Sequence, residues 1–353
     1  MLIYRRKHRE KNKPKRILIV RTDRMGDVIL STSVIKNLRA AYPDSHIAFM
    51  CRPYTKEILE GNPYLDEVIV YDKYGRHKSF FSSLRFSFLL RRKKFDWAII
   101  LHPTNRAHMV TFFAGIKTRA GWDRKMGFLL THKLPHTKQL GQKHEMEYTL
   151  DLLRFLNIPV KHKDIFFPLK DEARSYIRDV LLKQGVSASD KLIVIHPSAS
   201  CISKRWPQDY FIKLIELIKK EFNSKIVIVT SKNQIQYADR IIAECSGLID
   251  MRGKLTLSQL GALLKEAGLF ISNDSGPVHI AAALGTPVIS IFGRNDKGLS
   301  PKRWRPLGDK AFFIHKDVGC DPCLAHNCEK GFMCLKAIKP EEVFSLVEKI
   351  ISS

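Results

Sequence analysis

The sequence lacks several features that mark well-known classes of protein. No apolar run approaches the roughly 18 residues of a membrane-spanning helix, and no apolar segment of signal-peptide type follows the basic N-terminus. The dinucleotide motif Gly-x-Gly-x-x-Gly, the P-loop motif Gly-x-x-x-x-Gly-Lys-[Ser/Thr], the metalloprotease motif His-Glu-x-x-His and a metal-binding Asp-x-Asp pair are all missing. These absences weigh against membrane-spanning and secreted proteins, dehydrogenases and P-loop NTPases. We therefore expect a soluble cytoplasmic protein.

Acidic residues are scarce relative to basic ones. The 60 Lys and Arg residues against 35 Asp and Glu give a net charge of +25, which favours polyanionic partners. The bases concentrate in an N-terminal tail and in a second run, at Arg5, Arg6, Lys7, Arg9, Lys11, Lys13, Lys15 and Arg16 and at Arg91, Arg92, Lys93 and Lys94. Each run is either a solvated patch or a docking surface for an anionic membrane leaflet, where one basic residue contributes about 1 kcal/mol. Helix-turn-helix, zinc-finger and ribonucleoprotein motifs are absent, so nucleic acid is not an expected partner.

The length and the order of apolar runs predict the fold class. The 353 residues suffice for two domains of about 100–200 residues each. Short β-rich runs alternate with helical stretches, a pattern typical of parallel sheets covered on both faces. We predict an α/β protein with two Rossmann-like, doubly wound domains facing each other across a cleft. The predicted segments are a basic tail at 1–15, an N-terminal domain at 16–160, a join within 157–171, a C-terminal domain at 171–339 and a closing helix at 340–353.

The individual elements are predicted from the same runs. The strands are Arg16–Arg21, His46–Arg52, Glu67–Tyr71, Asp96–His102, Leu192–His196, Lys225–Thr230, Leu269–Ser272 and Val288–Phe292. The helices are Gly26–Ala41, Tyr54–Glu60, Ser79–Arg92, Ala107–Ala114, Glu145–Leu156, Glu172–Gln184, Tyr210–Phe222, Ile235–Cys245, Leu257–Glu266, Pro277–Leu284 and Glu341–Ile351.

Ligands of open α/β sheets bind at the carboxyl ends of the strands, so the loops that follow strands carry the candidate site. The first such loop leads to Gly26 and Asp27 at the start of a helix. An acid there either stabilises the helix dipole, by about 0.3–1 kcal/mol, or acts as a general base on an acceptor hydroxyl. Arg21 and Arg24 are placed to hold an anionic acceptor or to keep Asp27 ionised.

The second informative loop runs from residue 197 to residue 207. Lys204 and Arg205 are either solvated charges or the groups that neutralise a leaving diphosphate without a metal ion. Ser198 and Ser200 either donate to phosphate oxygens or cap the backbone of the loop.

The third loop precedes the predicted helix Pro277–Leu284. Because the first amides of a helix that follows a parallel strand are free to bind phosphate, Ser275 and Gly276 predict a diphosphate site. Asp274 is either the N-cap of this helix or a ligand to a ribose or sugar hydroxyl. His279 is either a satisfied buried histidine or a ligand contact. We expect the three loops to open into one cleft.

These loops resemble the heptosyltransferases of glycosyltransferase family 9. The resemblance lies in Ile-Leu-Ile-Val-Arg-Thr-Asp-Arg-Met-Gly-Asp-Val at 17–28, in His-Pro at 196–197 followed by Lys-Arg-Trp-Pro at 204–207, and in Ser-Asn-Asp-Ser-Gly-Pro-Val-His at 272–279. It implies a GT-B fold that binds the acceptor in its N-terminal half and the nucleotide sugar in its C-terminal half. It also implies inverting, metal-independent transfer of a heptose from ADP-heptose to a lipopolysaccharide core acceptor of the lipid A–Kdo type.

The resemblance also implies roles for single residues. Asp27 matches the proposed base, Lys204 the lysine that reaches the donor phosphate and sugar, and Asp274 the contact to the donor heptose. Ser275, Gly276 and His279 match the diphosphate-binding start of the helix. The chain departs from the family at 231–234, where Ser-Lys-Asn-Gln replaces a glycine-rich loop with an acid near the ribose.

Four of the seven cysteines cluster near the C-terminus, as Cys320-x2-Cys323-x4-Cys328-x5-Cys334. This spacing predicts either a structural Zn²⁺ site or, as the alternatives, free thiols or a disulfide, and a cytosolic location disfavours the disulfide. No cofactor is expected for catalysis.

The sequence thus predicts a glycosyltransferase that acts on a phosphorylated, lipid-anchored saccharide, peripherally at the inner face of the cytoplasmic membrane. The alternatives are a GT-B enzyme with another nucleotide sugar or acceptor, and a basic scaffold that binds nucleotide or nucleic acid without catalysis.

Overall fold

The computed structural model describes residues 13–352, which divide into two compact units. Residues 13–137 with Glu145–Phe166 form unit 1, and Lys138–His144 with residues 167–352 form unit 2. Most of the basic tail, including Arg5 to Lys11, lies outside the described residues. Within the described residues, no helix combines the length and apolar character needed to cross a bilayer.

Unit 1 is built on a six-stranded parallel sheet of order β3-β2-β1-β4-β5-β6. Its strands are β1 (Arg16–Val20), β2 (His46–Cys51), β3 (Glu67–Val70), β4 (Trp97–Ile100), β5 (Thr118–Asp123) and β6 (His132–Pro135). Its helices are α1 (Met25–Ile29), α2 (Thr32–Ala41), α3 (Phe80–Arg92), α4 (Asn105–Phe113) and α5 (Glu145–Phe155), with 3₁₀ turns at Pro53–Ile58 and Gly127–Leu129. Beyond their first residues, the central strands β1, β2 and β4 are buried, as expected for apolar runs covered by helices on both faces.

Unit 2 repeats this plan with a parallel sheet of order β12-β11-β10-β7-β8-β9. Its strands are β7 (Lys191–His196), β8 (Ser224–Ile228), β9 (Ile249–Asp250), β10 (Leu269–Asn273), β11 (Val288–Phe292) and β12 (Ala311–His315). Its helices are α6 (Asp171–Lys183), α7 (Gln208–Glu221), α8 (Asp239–Glu244), α9 (Leu257–Glu266), α10 (Pro277–Leu284), α11 (Pro301–Trp304), α12 (Met333–Lys336) and α13 (Pro340–Ile351). The prediction of two doubly wound α/β domains is confirmed, since each sheet has the Rossmann strand order.

The single helix predicted over Gly26–Ala41 is wrong, because the chain breaks between α1 and α2. The Ser31 hydroxyl donates to the carbonyl oxygen of Asp27 at 2.7 Å, and the Thr32 hydroxyl donates to that of Ile29 at 2.7 Å. Such local side-chain bonds compete with the helical backbone pattern and bend or end a helix. The break makes α1 a separate short helix that carries Asp27.

Other differences concern weak sequence signals. The helix predicted at Tyr54–Glu60 is largely the 3₁₀ turn Pro53–Ile58, and the helix predicted at Ile235–Cys245 is confirmed over α8, with its first turn in the 3₁₀ segment Lys232–Ala238. Sequence patterns also missed β5, β6, β9 and β12. Three of these are the short or partly exposed strands β6, β9 and β12 at sheet edges, where the alternation of apolar residues is weak.

Two chain segments join unit 2 in ways that the sequence did not indicate. Gly141, in the excursion Lys138–His144, has φ +59° and lies so close to Lys297 that a Cβ would sit 1.6 Å from the carbonyl oxygen of that residue. Only glycine fits this approach, which anchors the excursion. The closing helix α13 packs against α7 and buries Val343 and Val347 in the unit-2 core.

Candidate functional site

In unit 1, one buried arginine holds three carboxylates together. Arg21 follows β1 directly and is 1% exposed. Its Nε donates to Asp23 at 2.9 Å, and its Nη2 donates to Asp27 at 2.6 Å and to Glu145 at 2.9 Å. Among the described residues its Nη1 has no partner. The three acids outnumber the single cation, so this network, which we call the carboxylate cluster, carries an excess of negative charge.

The carboxylate cluster alters the acidity of Asp27. Burial is the largest cause that raises the pKa of this carboxyl, and the nearby Asp23 and Glu145 raise it further, while Arg21 opposes them. The backbone N–H of Arg24 donates to the second carboxylate oxygen of Asp27 at 3.2 Å and fixes its orientation. A raised pKa suits a carboxylate that must accept a proton during the reaction.

The remaining residues predicted for this site lie around Asp27. Gly26 is buried in α1, and the Arg24 side chain is exposed. The sequence patterns did not single out Asp23, Glu145 or His102 as site residues. The Nδ1 atom of His102 lies 3.5 Å from Asp23 Oδ2. Asp23 and His102 each follow a strand, so both fall under the rule that ligands bind at the carboxyl ends of strands, which we call the strand-end rule. Glu145 lies in the first turn of α5, where the sequence carries no such signal.

In unit 2, one buried carboxylate lies between two cations. Asp274 Oδ2 is 2.9 Å from Lys204 Nζ and 2.9 Å from Arg294 Nη2, and we call these three residues the cation pair site. Burial raises the pKa of Asp274, but Lys204 and then Arg294 outweigh it, so the pKa lies below its usual value. Two cations facing one carboxylate leave an excess of positive charge.

Polar atoms without a partner accompany this excess charge. His279 Nδ1 and Arg294 Nε are buried and have no hydrogen-bond partner among the described residues. The backbone N–H groups of Ser275 and Gly276, just before α10, also donate to no acceptor within residues 13–352. Buried groups without a partner are rare in native proteins and call for one from outside the chain. The arrangement therefore fits an anion with several acceptor oxygens.

The N-cap interpretation of Asp274 is wrong. The helix α10 begins at Pro277 with Gly276 in the cap position, and the Asp274 carboxylate is engaged by Lys204 and Arg294 instead. Arg294 was missed by sequence reasoning, although it lies two residues beyond the end of β11, where the strand-end rule again applies.

A chain of hydrogen bonds supports the loops of unit 2. The Ser198 hydroxyl lies 3.0 Å from His196 Nε2 and donates to Gln234 at 3.1 Å. His196 Nδ1 lies 3.1 Å from the Ser272 hydroxyl, which in turn is 2.9 Å from that of Ser275. This network ties the loops after β7, β8 and β10 together.

The other polar residues predicted in the 197–207 loop have separate surroundings. Arg205 donates to the carbonyl oxygen of Ala199 at 2.9 Å, and its guanidinium lies 3.5 Å from the centroid of the Tyr237 ring. Ser200 is exposed. Arg205 thus holds the shape of the loop.

The four C-terminal cysteines line one cavity of about 240 Å³, together with Ser203 and Arg294. Burial raises the pKa of the Cys334 thiol, and the other three cysteines raise it further. Among residues 13–352, no three His, Cys, Asp or Glu side chains are arranged to hold a metal ion. The structural zinc site stays a prediction, and metal analysis of the purified protein tests it.

Comparison with known proteins gives concordant matches. The model of "Glycosyltransferase family 9 (heptosyltransferase)" matches residues 84–333. Lipopolysaccharide heptosyltransferase 3 of Escherichia coli K12 is 26% identical over 338 residues, which cover 92% of this chain and 95% of that protein. The crystal structure of the glycosyl transferase family 9 from Veillonella parvula has a TM-score of 0.86 at 24% identity, covering 96% of this chain and 98% of that one. The structure of E. coli ADP-heptose lps heptosyltransferase II has a TM-score of 0.77 at 24% identity, with 95% and 98% covered.

The buried histidines predict how stability depends on pH. Burial lowers the pKa of His196 to about 4 and that of His279 to about 3, where nearby His144 adds to the effect. Because an unfolded histidine protonates near pH 6.5, each residue stabilises the fold above that pH and loses this contribution as the pH falls toward its folded pKa. The expected loss is about 1.4 kcal/mol per pH unit and histidine below about pH 6.5.

Denaturant unfolding of the wild type and of His279→Gln between pH 7 and pH 5 measures this effect. We expect a shallower pH dependence in the variant, since its other titrating groups are unchanged. Equal slopes in the two proteins would contradict the assignment, whatever their absolute stabilities.

Proposed function

Because this chain belongs to glycosyltransferase family 9, we propose that it transfers a heptose from ADP-heptose to a lipopolysaccharide core acceptor of the lipid A–Kdo type. The chain is a glycosyltransferase with a GT-B fold of two Rossmann-like domains. The names of its relatives support the donor and the acceptor class. The observation that carries the proposal is the opposite balance of buried charge in the two units, with surplus carboxylate in one and surplus cation in the other.

Asp27 acts as the general base in this proposal. It accepts the proton of the acceptor hydroxyl as that oxygen attacks the anomeric carbon of the donor. Its raised pKa matches this task, and Arg21 fixes the position of the carboxylate through the bond of 2.6 Å. A single displacement, in which the acceptor attacks opposite the leaving group, inverts the configuration at the anomeric carbon.

The cation pair site receives the leaving diphosphate. Lys204 and Arg294 supply two positive charges, and the free amides of Ser275 and Gly276 supply hydrogen bonds at the start of α10. When phosphate oxygens share the cations, Asp274 is released to accept a hydrogen bond from the donor sugar. We propose transfer without a metal ion because these protein groups meet the charge that develops on the diphosphate.

The location follows from the acceptor. A lipid-anchored, phosphate-rich saccharide requires an enzyme that works at a membrane surface, and the net charge of +25 favours an anionic leaflet. We propose that the protein is cytoplasmic and binds peripherally to the inner face of the cytoplasmic membrane, with no nucleic acid partner.

Replacing the base tests the acceptor half of the proposal. We expect Asp27→Asn to lower the transfer rate by about 10²–10⁴-fold, because the amide still accepts a bond from Arg21 and cannot take a proton. Thermal stabilisation by ADP should be unchanged. Asp164→Asn is a matched control in unit 1, since this acid is exposed and pairs only with Lys36 in the described contacts. Wild-type turnover of Asp27→Asn would refute the assignment of the base.

Arg294, which the structure adds to the site, tests the donor half. We expect Arg294→Met to weaken ADP binding about 10–100-fold, because one of two cations and a buried donor are lost. Lys213→Met on α7 removes an exposed lysine from the same unit and should leave binding unchanged. Calorimetric titration with ADP, after the melting temperatures of both variants are compared, measures the effect. Equal affinity of Arg294→Met and the wild type would contradict a diphosphate site here.

A further inference from the structure

The helix α3 of unit 1 is apolar on both of its faces. One face packs Ser83, Phe86, Ser87 and Leu90 against the sheet. On the opposite face Phe81 is 80% exposed and Phe88 is 51% exposed, and the flanking Phe80 and Leu89 are half exposed as well. A surface helix normally presents polar residues to water, and a contiguous exposed apolar patch marks an interaction site.

Arginines alternate with the aromatic residues along this exposed face. Phe81, Arg85, Phe88 and Arg92 are spaced at i, i+4, i+7 and i+11, which places them in one stripe along the helix. Both arginines are exposed. Phenylalanine and leucine mixed with arginine are typical of a helix that lies in the interface of a membrane.

The apolar surface continues onto α4, which packs against α3. Phe112 and Phe113 at the end of α4 are 42% and 36% exposed, and the Arg119 guanidinium lies 5.3 Å from the centroid of the Phe112 ring. Just beyond this helix, a Cβ at Gly115 would lie 3.6 Å from Arg91 Nε, so the C-terminal ends of the two helices are adjacent. The exposed aromatic residues of α3 and α4 therefore belong to one side of unit 1.

The chain segment that contains α3 is strongly basic. Residues 73–95 contain no acid and eight bases, namely Lys73, Arg76, Lys78, Arg85, Arg91, Arg92, Lys93 and Lys94. The neighbouring Glu67 is paired with Lys93, and Asp72 accepts hydrogen bonds from the backbone N–H groups of Gly75 and Arg76. The helix α3 itself contains no acidic residue, so its exposed arginines Arg85, Arg91 and Arg92 have no acid on the same helix.

We propose that this surface, consisting of Phe80, Phe81, Phe88 and Leu89 of α3 with Phe112 and Phe113 of α4, docks the protein on an anionic phospholipid bilayer. The apolar side chains enter the boundary between headgroups and acyl chains, and Arg85, Arg91, Arg92 and Lys94 contact lipid phosphates. A bilayer is the occupant because it offers apolar depth and negative charge together, which the alternation of Phe and Arg along α3 matches. The inference deepens the proposed function, on which it rests for the lipid-anchored acceptor.

Cosedimentation with vesicles tests the surface directly. The vesicles contain phosphatidylcholine alone or equal parts of phosphatidylcholine and phosphatidylglycerol. The variants are Phe81→Asp with Phe88→Asp, and Arg85→Gln with Arg92→Gln. The control is Tyr176→Asp with Leu182→Asp on α6, where both side chains are exposed in unit 2.

We expect the phenylalanine variant to bind the anionic vesicles at least about tenfold more weakly than the wild type. The arginine variant should lose roughly fivefold per arginine on anionic vesicles and nothing on neutral ones. The control and a chain lacking residues 1–12 should retain binding through α3. Undiminished binding of both α3 variants, or binding lost only with the tail, would overturn the proposal.

Two further measurements distinguish a failure of the docking surface from a failure of the proposed function, and distinguish lipid binding from nucleic-acid binding. With a water-soluble, deacylated acceptor, the phenylalanine variant should transfer heptose at the wild-type rate and keep the wild-type melting temperature. Vesicle binding through α3 by a protein without any transferase activity would refute the proposed function and leave the surface intact. Binding of RNA through the arginines, with no effect of the phenylalanine variant on vesicles, would refute the surface.

Discussion

Buried charge that is left unbalanced within the protein is the constraint on which both sites depend. Burying an ion is costly unless it is paired, and the buried charges of the two candidate sites have partners. The balance is unequal in each unit: Arg21 faces three carboxylates, and Asp274 faces two cations. Burial, followed by the surplus carboxylates, raises the pKa of Asp27 in the first network, and in the second network Arg294 Nε has no partner among the described residues. In the proposed function, the proton of the acceptor hydroxyl completes the balance in the first network and the leaving diphosphate completes it in the second.

The repeated Rossmann plan explains why these networks form where they do. Each unit has the same parallel strand order, so the carboxyl ends of its central strands share one edge of the sheet. Arg21 follows β1, while Asp274 and Arg294 follow β10 and β11. The apolar strands keep these loops rigid, and side-chain bonds such as that of Ser31 to Asp27 set where the short helix α1 ends. The residues of the two candidate sites thus follow the most buried strands of each unit.

Much of this arrangement could be predicted from local sequence. The apolar runs indicated two doubly wound domains, and the loops at Asp27, Lys204 and Asp274 followed from the strand-end rule. Arg294 also follows a strand, so the same rule applies to it, but it lies outside the sequence motifs that drew attention to the other loops. Other features depend on contacts that are distant in sequence and carry no local signal. Glu145 reaches Arg21 across 124 residues, and Gly141 is required by the backbone of Lys297. The basic run at the C-terminal end of α3 was evident from the sequence, but the exposure of Phe81 was not. A helix with apolar residues on both faces has the same sequence pattern whether one face or both faces are buried.

The release of ADP from ADP-heptose by the purified protein is the most direct test of heptosyl transfer. The assay supplies the donor with and without a lipid A–Kdo acceptor, and repeats each reaction with UDP-sugars and GDP-mannose. We expect ADP release that requires the acceptor, together with a heptosylated product and no comparable release of UDP or GDP. Absence of acceptor-dependent ADP release, or an equal rate with another nucleotide sugar, would contradict it.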